Sequence, residues 1–219
     1  MSKIVTVMSD SMRVGKTTAV KVIAEGMRSR GYKVTESYED WQHNPYLKGS
    51  YADPEKNFLE SQKWFVKRKL EQLSKVEETL LHQGFGREGI FVQDVPPEMD
   101  YNYALTNMRI GRMSAESFER YREYYQGLDR SRLRRVDLLV YLTVSDRELL
   151  QRATASRREF ETVEEDYFLE MKRVNREWIK KHGSAYNLLK VDTNRLNFVS
   201  SGRDRESLVN MVINSLISR

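Results

Sequence analysis

The chain has no cysteine, which excludes a disulfide framework, a thiolate metal site and a cysteine nucleophile. Its 3 histidines are widely separated, so a histidine-built metal cage is not expected. No apolar run approaches the ~18 residues of a membrane span, and the N-terminus lacks the basic-then-apolar layout of a secretion signal. A cytoplasmic protein without membrane contact is therefore expected. Pro/Gly/Ser-rich linkers and internal repeats are also missing, which favours a single domain over residues 1–219.

What is present supports a folded core: 39% apolar residues, with 12 Tyr, 8 Phe and 3 Trp, leave intrinsic disorder without a compositional basis. Lys and Arg total 37 against 32 Asp and Glu, a net charge of +5. That modest excess suits an anionic partner: a nucleotide, a nucleic acid or a phosphorylated metabolite. The densest basic stretch, Arg130, Arg132, Arg134 and Arg135, has no interleaved aromatics to stack on bases. It reads as a solvated helix end, and no nucleic-acid partner is expected.

Short apolar runs at 3–8, 33–36, 89–94, 136–144 and 186–191 read as strands. Between them lie helical patterns: one from Lys16 closed by Gly31, a long amphipathic one over 54–82, and helical material over 99–126. A further helix opens at Ser145 with Glu148 in capping-box spacing, and another covers 205–217. The 136–144 run is almost continuously apolar, as expected for a strand buried on both faces of a parallel sheet. Five alternations of strand and helix predict an α/β fold: one five-stranded parallel sheet flanked by helices in three layers. Ligands in such sheets sit beyond the carboxyl ends of the strands, so the functional residues are expected just after strands one to four.

After the first strand, Asp10-Ser11-Met12-Arg13-Val14-Gly15-Lys16-Thr17-Thr18 is a phosphate-binding loop apart from Asp10, where glycine is usual. Backbone N–H groups at the following helix start can cradle phosphate oxygens, Lys16 can neutralise their charge, and Thr17 can hold Mg²⁺. A carboxylate at position 10 would repel triphosphate unless it is paired or turned away. Arg13, three residues on, is its expected partner.

On the long helix, Phe58, Gln62, Phe65, Val66, Leu70, Leu73 and Val76 share one stripe. Gln62 is the polar member of that face, and a buried unpaired amide costs about 1–3 kcal/mol. Either a ligand or an internal partner must satisfy it.

After the second strand comes Glu39-Asp40-Trp41-Gln42-His43-Asn44-Pro45-Tyr46-Leu47, then Tyr51-Ala52-Asp53-Pro54. This resembles the deoxyribonucleoside kinase family, which carries a Glu-Pro-Val-x-x-Asn-Pro-Tyr-Leu segment and a Tyr-x-Asp-Pro helix start. The resemblance continues through Gln62, Gln93-Asp94, residues 137–142, Arg152, Arg158-Glu159-Phe160-Glu161 and Asn197-Phe198-Val199.

The resemblance implies an ATP- and Mg²⁺-dependent kinase that converts a (deoxy)nucleoside to its 5′-monophosphate, with purine deoxynucleosides favoured, acting as a homodimer. It implies Glu39 as the base for the 5′-hydroxyl, Gln62 as the nucleobase reader, and Trp64 and Tyr167 as pocket aromatics. Lys69 stands where the family often has Arg. Asp94 would help hold Mg²⁺ with Thr17, Asp100 would approach the base, and Glu161 would read the sugar 3′-hydroxyl. Arg152, Arg157 and Arg158 would form an arginine lid over about 152–165, charge complements to the transferred phosphoryl group.

The chain departs from the family at Val95 and Pro96, where Arg and Ser are usual; Arg109 and Arg112 are the candidates to replace the missing cation. Two alternatives stay open at this level: a thymidylate-kinase-like nucleoside monophosphate kinase, and a nucleotide-binding regulatory protein without turnover.

Overall fold

A computed structural model describes residues 2–82, 89–129, 136–156 and 164–217, with side chains for all of these except 77–82. Five strands, β1 (Lys3–Ser9), β2 (Lys33–Ser37), β3 (Gly89–Asp94), β4 (Leu138–Thr143) and β5 (Leu188–Asp192), form one sheet in the order β2-β3-β1-β4-β5. Every pairing is parallel. Residues Ile4 to Ser9 of β1, all of β3 and Leu138 to Leu142 of β4 are buried, which explains the almost continuous apolarity of the 136–144 run: helices cover both faces.

The helices are α1 (Lys16–Arg28), α2 (Leu47–Ala52), α3 (Pro54–His82), α4 (Pro97–Arg109), α5 (Ala115–Gln126), α6 (Asp146–Ala155), α7 (Glu165–His182) and α8 (Gly202–Ile217). On α1, Ala19, Val20, Val22, Ile23 and Met27 bury the expected apolar face. Among the described residues, no helix is long and apolar enough to cross a membrane.

Several expectations are corrected. The helical stretch over 99–126 is two helices, broken where Gly111 adopts φ +77 and the N–H groups of Arg112 and Met113 both turn back to the Asn107 carbonyl. Ser114 then restarts the chain as α5, its hydroxyl accepting the Ser117 N–H at 3.2 Å. Helices α2 and α7 were not predicted.

The fourth strand stops short of Val144, whose N–H bonds the Asp10 carboxylate instead of a neighbouring strand. The fifth begins at Leu188 rather than Tyr186, whose ring packs on Trp178. Position 145 does cap α6, its hydroxyl accepting the Glu148 N–H at 3.3 Å. The reciprocal half of the capping box is absent: the Ser145 N–H goes to Asn194, while Glu148 accepts from Arg152.

Parallel register places Val7 beside Asp94 and Ser9 beside Leu142. The segments that follow β1, β2, β3, β4 and β5 therefore leave the sheet along one rim.

Candidate active site

The phosphate loop leaves β1 at Ser9 and enters α1 at Lys16. Gly15 caps α1 at φ +103 with no side-chain bond to the first turn, leaving those N–H groups to an anion. A Cβ at Gly15 would also meet the Phe198 ring at 3.4 Å. Lys16 is buried, and its ammonium lies 3.3 Å from the Ser9 hydroxyl and 3.4 Å from the Ser11 carbonyl. A cleft of about 580 Å³ runs over the loop, lined by residues 12–18, Glu39, Asp94 and Arg152.

Asp10 and Ser11 do not face this cleft, contrary to expectation. Asp10 is fully buried, and its partner is Arg176 of α7 rather than Arg13, through bonds of 2.9 and 3.1 Å. The Tyr141 hydroxyl and Val144 N–H complete the carboxylate's shell at 2.7 and 3.1 Å. Burial, then the Asp10 charge, pushes the Tyr141 pKa far up and keeps it a donor. The Ser11 hydroxyl donates to the Phe168 carbonyl of α7. Turned away and neutralised, Asp10 does not repel an anion in the cleft.

Thr17 donates to one Asp94 oxygen at 2.6 Å. The other, Asp94 Oδ1, is buried without a hydrogen-bond partner. A hydroxyl with free lone pairs beside an orphaned carboxylate oxygen is the donor set that suits a hard cation sharing its remaining positions with phosphates and water. Lys69 donates to the Asp94 carbonyl at 2.6 Å. The next residue, Val95, is buried at φ +62. For a β-branched side chain that geometry costs about 1–3 kcal/mol, strain stored where the rim turns into α4.

Glu39 is held in place from α3. The Gln72 amide donates to the Tyr38 carbonyl at 3.2 Å, and Arg68 donates to Asp40 at 2.8 Å, gripping the residues on either side. Asn44 donates to the Ser61 hydroxyl at 3.0 Å further along. The neighbouring acids are occupied elsewhere: Glu36 pairs with Arg28 at 2.9 Å, and Asp40 with Arg68 and surface His43. Burial raises the Asp40 pKa, but its bonds from His43 and Arg68 outweigh that and hold it below the ordinary carboxylate value.

Glu39 also lines a second, small chamber with Gln62, Phe65, Tyr103, Arg112 and Tyr167; Glu39, Met12 and Tyr103 border both spaces. Gln62 Oε1 is buried, and no group among the described residues satisfies that oxygen. Phe65 lines the chamber where Trp64 was expected; Trp64 lies two positions from Gln62 on the helix, off its face, and packs edge-on against Phe65.

Lys69 and Asp100 are buried and do not line the chamber. Burial drives the Asp100 carboxyl well above its usual range, opposed by the Lys69 charge and reinforced by Glu39. Arg109 is tied to Glu170 and Glu177 on the surface. Arg112 is the cation at the chamber, 5.0 Å from the Tyr167 ring centroid and paired with Glu164.

Arg152 reaches from α6 to the Val14 carbonyl at 3.3 Å and to the Thr193 hydroxyl and carbonyl at 2.9 Å each, while Glu148 takes its Nε. Thr193, Asn194 and residues 196–199 line the cleft beside it. The expectation that only strands one to four contribute is thus too narrow: the loop after β5 supplies a whole wall. Its Asn197-Phe198-Val199 was visible, and the rule about strand ends applies to β5 equally. Arg157, Arg158 and Glu161 lie outside the described residues.

A strand, a glycine-bounded phosphate loop, a helix start and a rim of acids and cations on a 2-3-1-4-5 parallel sheet define a P-loop kinase fold. The family model for deoxynucleoside kinase matches residues 9–218. The chain belongs to the deoxynucleoside kinase family, and is a phosphotransferase of that class.

It is 24% identical to a deoxyguanosine kinase of Lactobacillus acidophilus, with 97% of this chain and 90% of the relative covered. It is 27% identical to a deoxyadenosine/deoxycytidine kinase of Bacillus subtilis, over 96% and 90%. Its fold is shared with the structure of a deoxyadenosine kinase from M. mycoides with bound dATP, at a TM-score of 0.73 and 20% identity over 97% and 98% of the two chains.

Proposed function

We propose that the protein phosphorylates the 5′-hydroxyl of a deoxynucleoside with ATP, purine deoxynucleosides being the favoured acceptors. The observation that carries this reading is the position of Glu39 on the border between the phosphate-loop cleft and the Gln62 chamber. A donor triphosphate on the loop and a nucleoside in the chamber would meet at that carboxylate. Glu39 takes the 5′-hydroxyl proton as the new O5′–phosphorus bond forms and the bond to the ADP oxygen breaks.

Lys16 and the α1 amides hold the phosphates, and Gln62 pairs with the base through both its donor and acceptor. Arg112 and Tyr167 form the chamber wall, and Arg152 props the loop against the β5 side. Thr17 and Asp94 would hold Mg²⁺, which when bound neutralises charge on the transferring phosphoryl group. In the same reading, by family resemblance, the lid over about 152–165 supplies Arg157 and Arg158 for the phosphates and Glu161 for the sugar. Purine preference rests on the named activities of the relatives, deoxyguanosine and deoxyadenosine among them. A cytoplasmic homodimer is part of this reading by family resemblance; light scattering tests the dimer.

The deciding experiment offers purified protein labelled ATP, Mg²⁺ and a panel of nucleosides and monophosphates. Turnover of deoxynucleosides, purines fastest, is expected. Turnover of monophosphates alone would make the protein a nucleotide kinase, and binding without turnover a regulatory protein.

A further inference from the structure

The phosphate loop carries two side chains where backbone freedom matters: Asp10 at its first position and Arg13 three residues later. The strain falls on only one of them. Arg13 sits at φ +62, whereas Asp10 is outside the left-handed region. A non-glycine residue there costs about 1–2 kcal/mol and persists only where its surroundings over-determine it.

The loop residues before Arg13 are held largely from one helix. Asp10 accepts two bonds from the Arg176 guanidinium, its carbonyl accepts the Asn175 amide at 3.0 Å, and the Ser11 hydroxyl reaches the Phe168 carbonyl at 3.2 Å. Three residues of α7 thus grip the two loop residues immediately before Met12. On the opposite side, the Asp10 N–H donates to the Leu142 carbonyl at 2.9 Å, and its carboxylate takes Tyr141 and Val144. Neither Asp10 nor Arg176 lines the cleft.

We infer that Asp10 and Arg176 are a positioning pair: they brace the loop from α7, hold Arg13 in its strained conformation, and so keep residues 13–17 presented to the donor triphosphate. The aspartate therefore replaces the freedom of a glycine with a tether 166 residues away in sequence. This rests on the reading of the cleft as the ATP site, and the wild-type assay tests that reading before any variant is made.

The test uses the full-length chain with Arg176→Gln, Arg176→Lys and Asp10→Asn, and Arg176→Gln again in an Arg13→Gly background. Melting temperature and the KM values for ATP and nucleoside are measured for each. Arg176 is half-exposed, so Arg176→Gln is expected to fold. It should raise the KM for ATP about tenfold and leave the nucleoside KM within about twofold, with Arg176→Lys recovering part of the loss. Asp10→Asn should move the ATP KM in the same direction.

In the Arg13→Gly background the Arg176→Gln penalty should shrink to about threefold or less, because glycine holds positive φ unaided. A lower melting temperature with an unchanged ATP KM would reduce the pair to a stabilising contact and overturn the inference. Equal penalties in both backgrounds would overturn its action through Arg13. A wild-type chain that does not use ATP would remove its basis.

Discussion

The two sides of the site are built differently. On the donor side, Asp10, Ser11, Lys16 and Arg152 have protein partners already, and the cleft measures about 580 Å³. On the acceptor side, the Gln62 Oε1 that faces the chamber and the nearby Asp100 Oδ2 are buried with no partner among the described residues, while the donor cleft leaves one such oxygen, Asp94 Oδ1, for a cation. The chamber there encloses about 50 Å³, against the roughly 300 Å³ at the lower end for ligand pockets. Its walls must part for a nucleoside to enter. The donor surface is preorganised, whereas the acceptor surface keeps polar groups in reserve for the substrate, at a cost in stability.

Four changes would break or sharpen that contrast. The largest effect is expected at the border itself: Glu39→Gln should cut kcat by about 10²–10⁴ while nucleoside affinity barely moves, read by turnover and calorimetry. Equal losses in both would make Glu39 a binding residue. Gln62→Leu should weaken nucleoside binding by about tenfold or more yet not lower the melting temperature, since it removes a buried amide oxygen that no described residue satisfies. A fall in melting temperature would show that Gln62 is already satisfied in the free protein.

Arg152→Gln should raise the KM for ATP by about tenfold and leave the nucleoside KM unchanged, by releasing the Val14 and Thr193 carbonyls. An altered nucleoside KM would erase the boundary between the two sides.

The smallest effect concerns Asp100. Its carboxyl titrates above the unfolded value, so the unfolded chain ionises first as pH rises and the native state loses stability from about pH 4 upwards. Asp100→Asn removes that loss. Its melting temperature relative to wild type should be higher at pH 7 than at pH 4. Identical differences at both pH values would mean the burial cost is cancelled by Lys69.

Local signals carried much of this architecture. The apolar runs at β1, β3 and β4, the α1 face and the long α3 stripe are all short-range patterns, and each lies where its spacing indicates. Helix α7 carried a signal that went unread: Phe168, Met171, Val174, Asn175 and Ile179 are buried at helical spacing, diluted by the charged residues between them. The break before α5 was marked by Gly111 and Ser114, but one helical period on either side concealed it. At the site, Lys16, Thr17, Glu39 and Asp94 stood out because the sheet topology sends the strand ends to one rim, and Gln62 because it is the polar member of the α3 stripe. Trp64 was misassigned because neighbouring aromatics on a helix differ in direction by about 100°, which identity alone does not reveal.

The sequence by itself determined the alternation of strand and helix, and with it the parallel sheet and its ligand-bearing edge, because burial periodicity is written residue by residue. Only the tertiary structure decided which charge answers which. Arg176 reaches Asp10, Arg68 reaches Asp40, and Arg112 rather than Arg109 faces the chamber. Coulombic partners are chosen by distance in space, and the packing of α3 and α7 onto the sheet sets those distances without regard to separation along the chain.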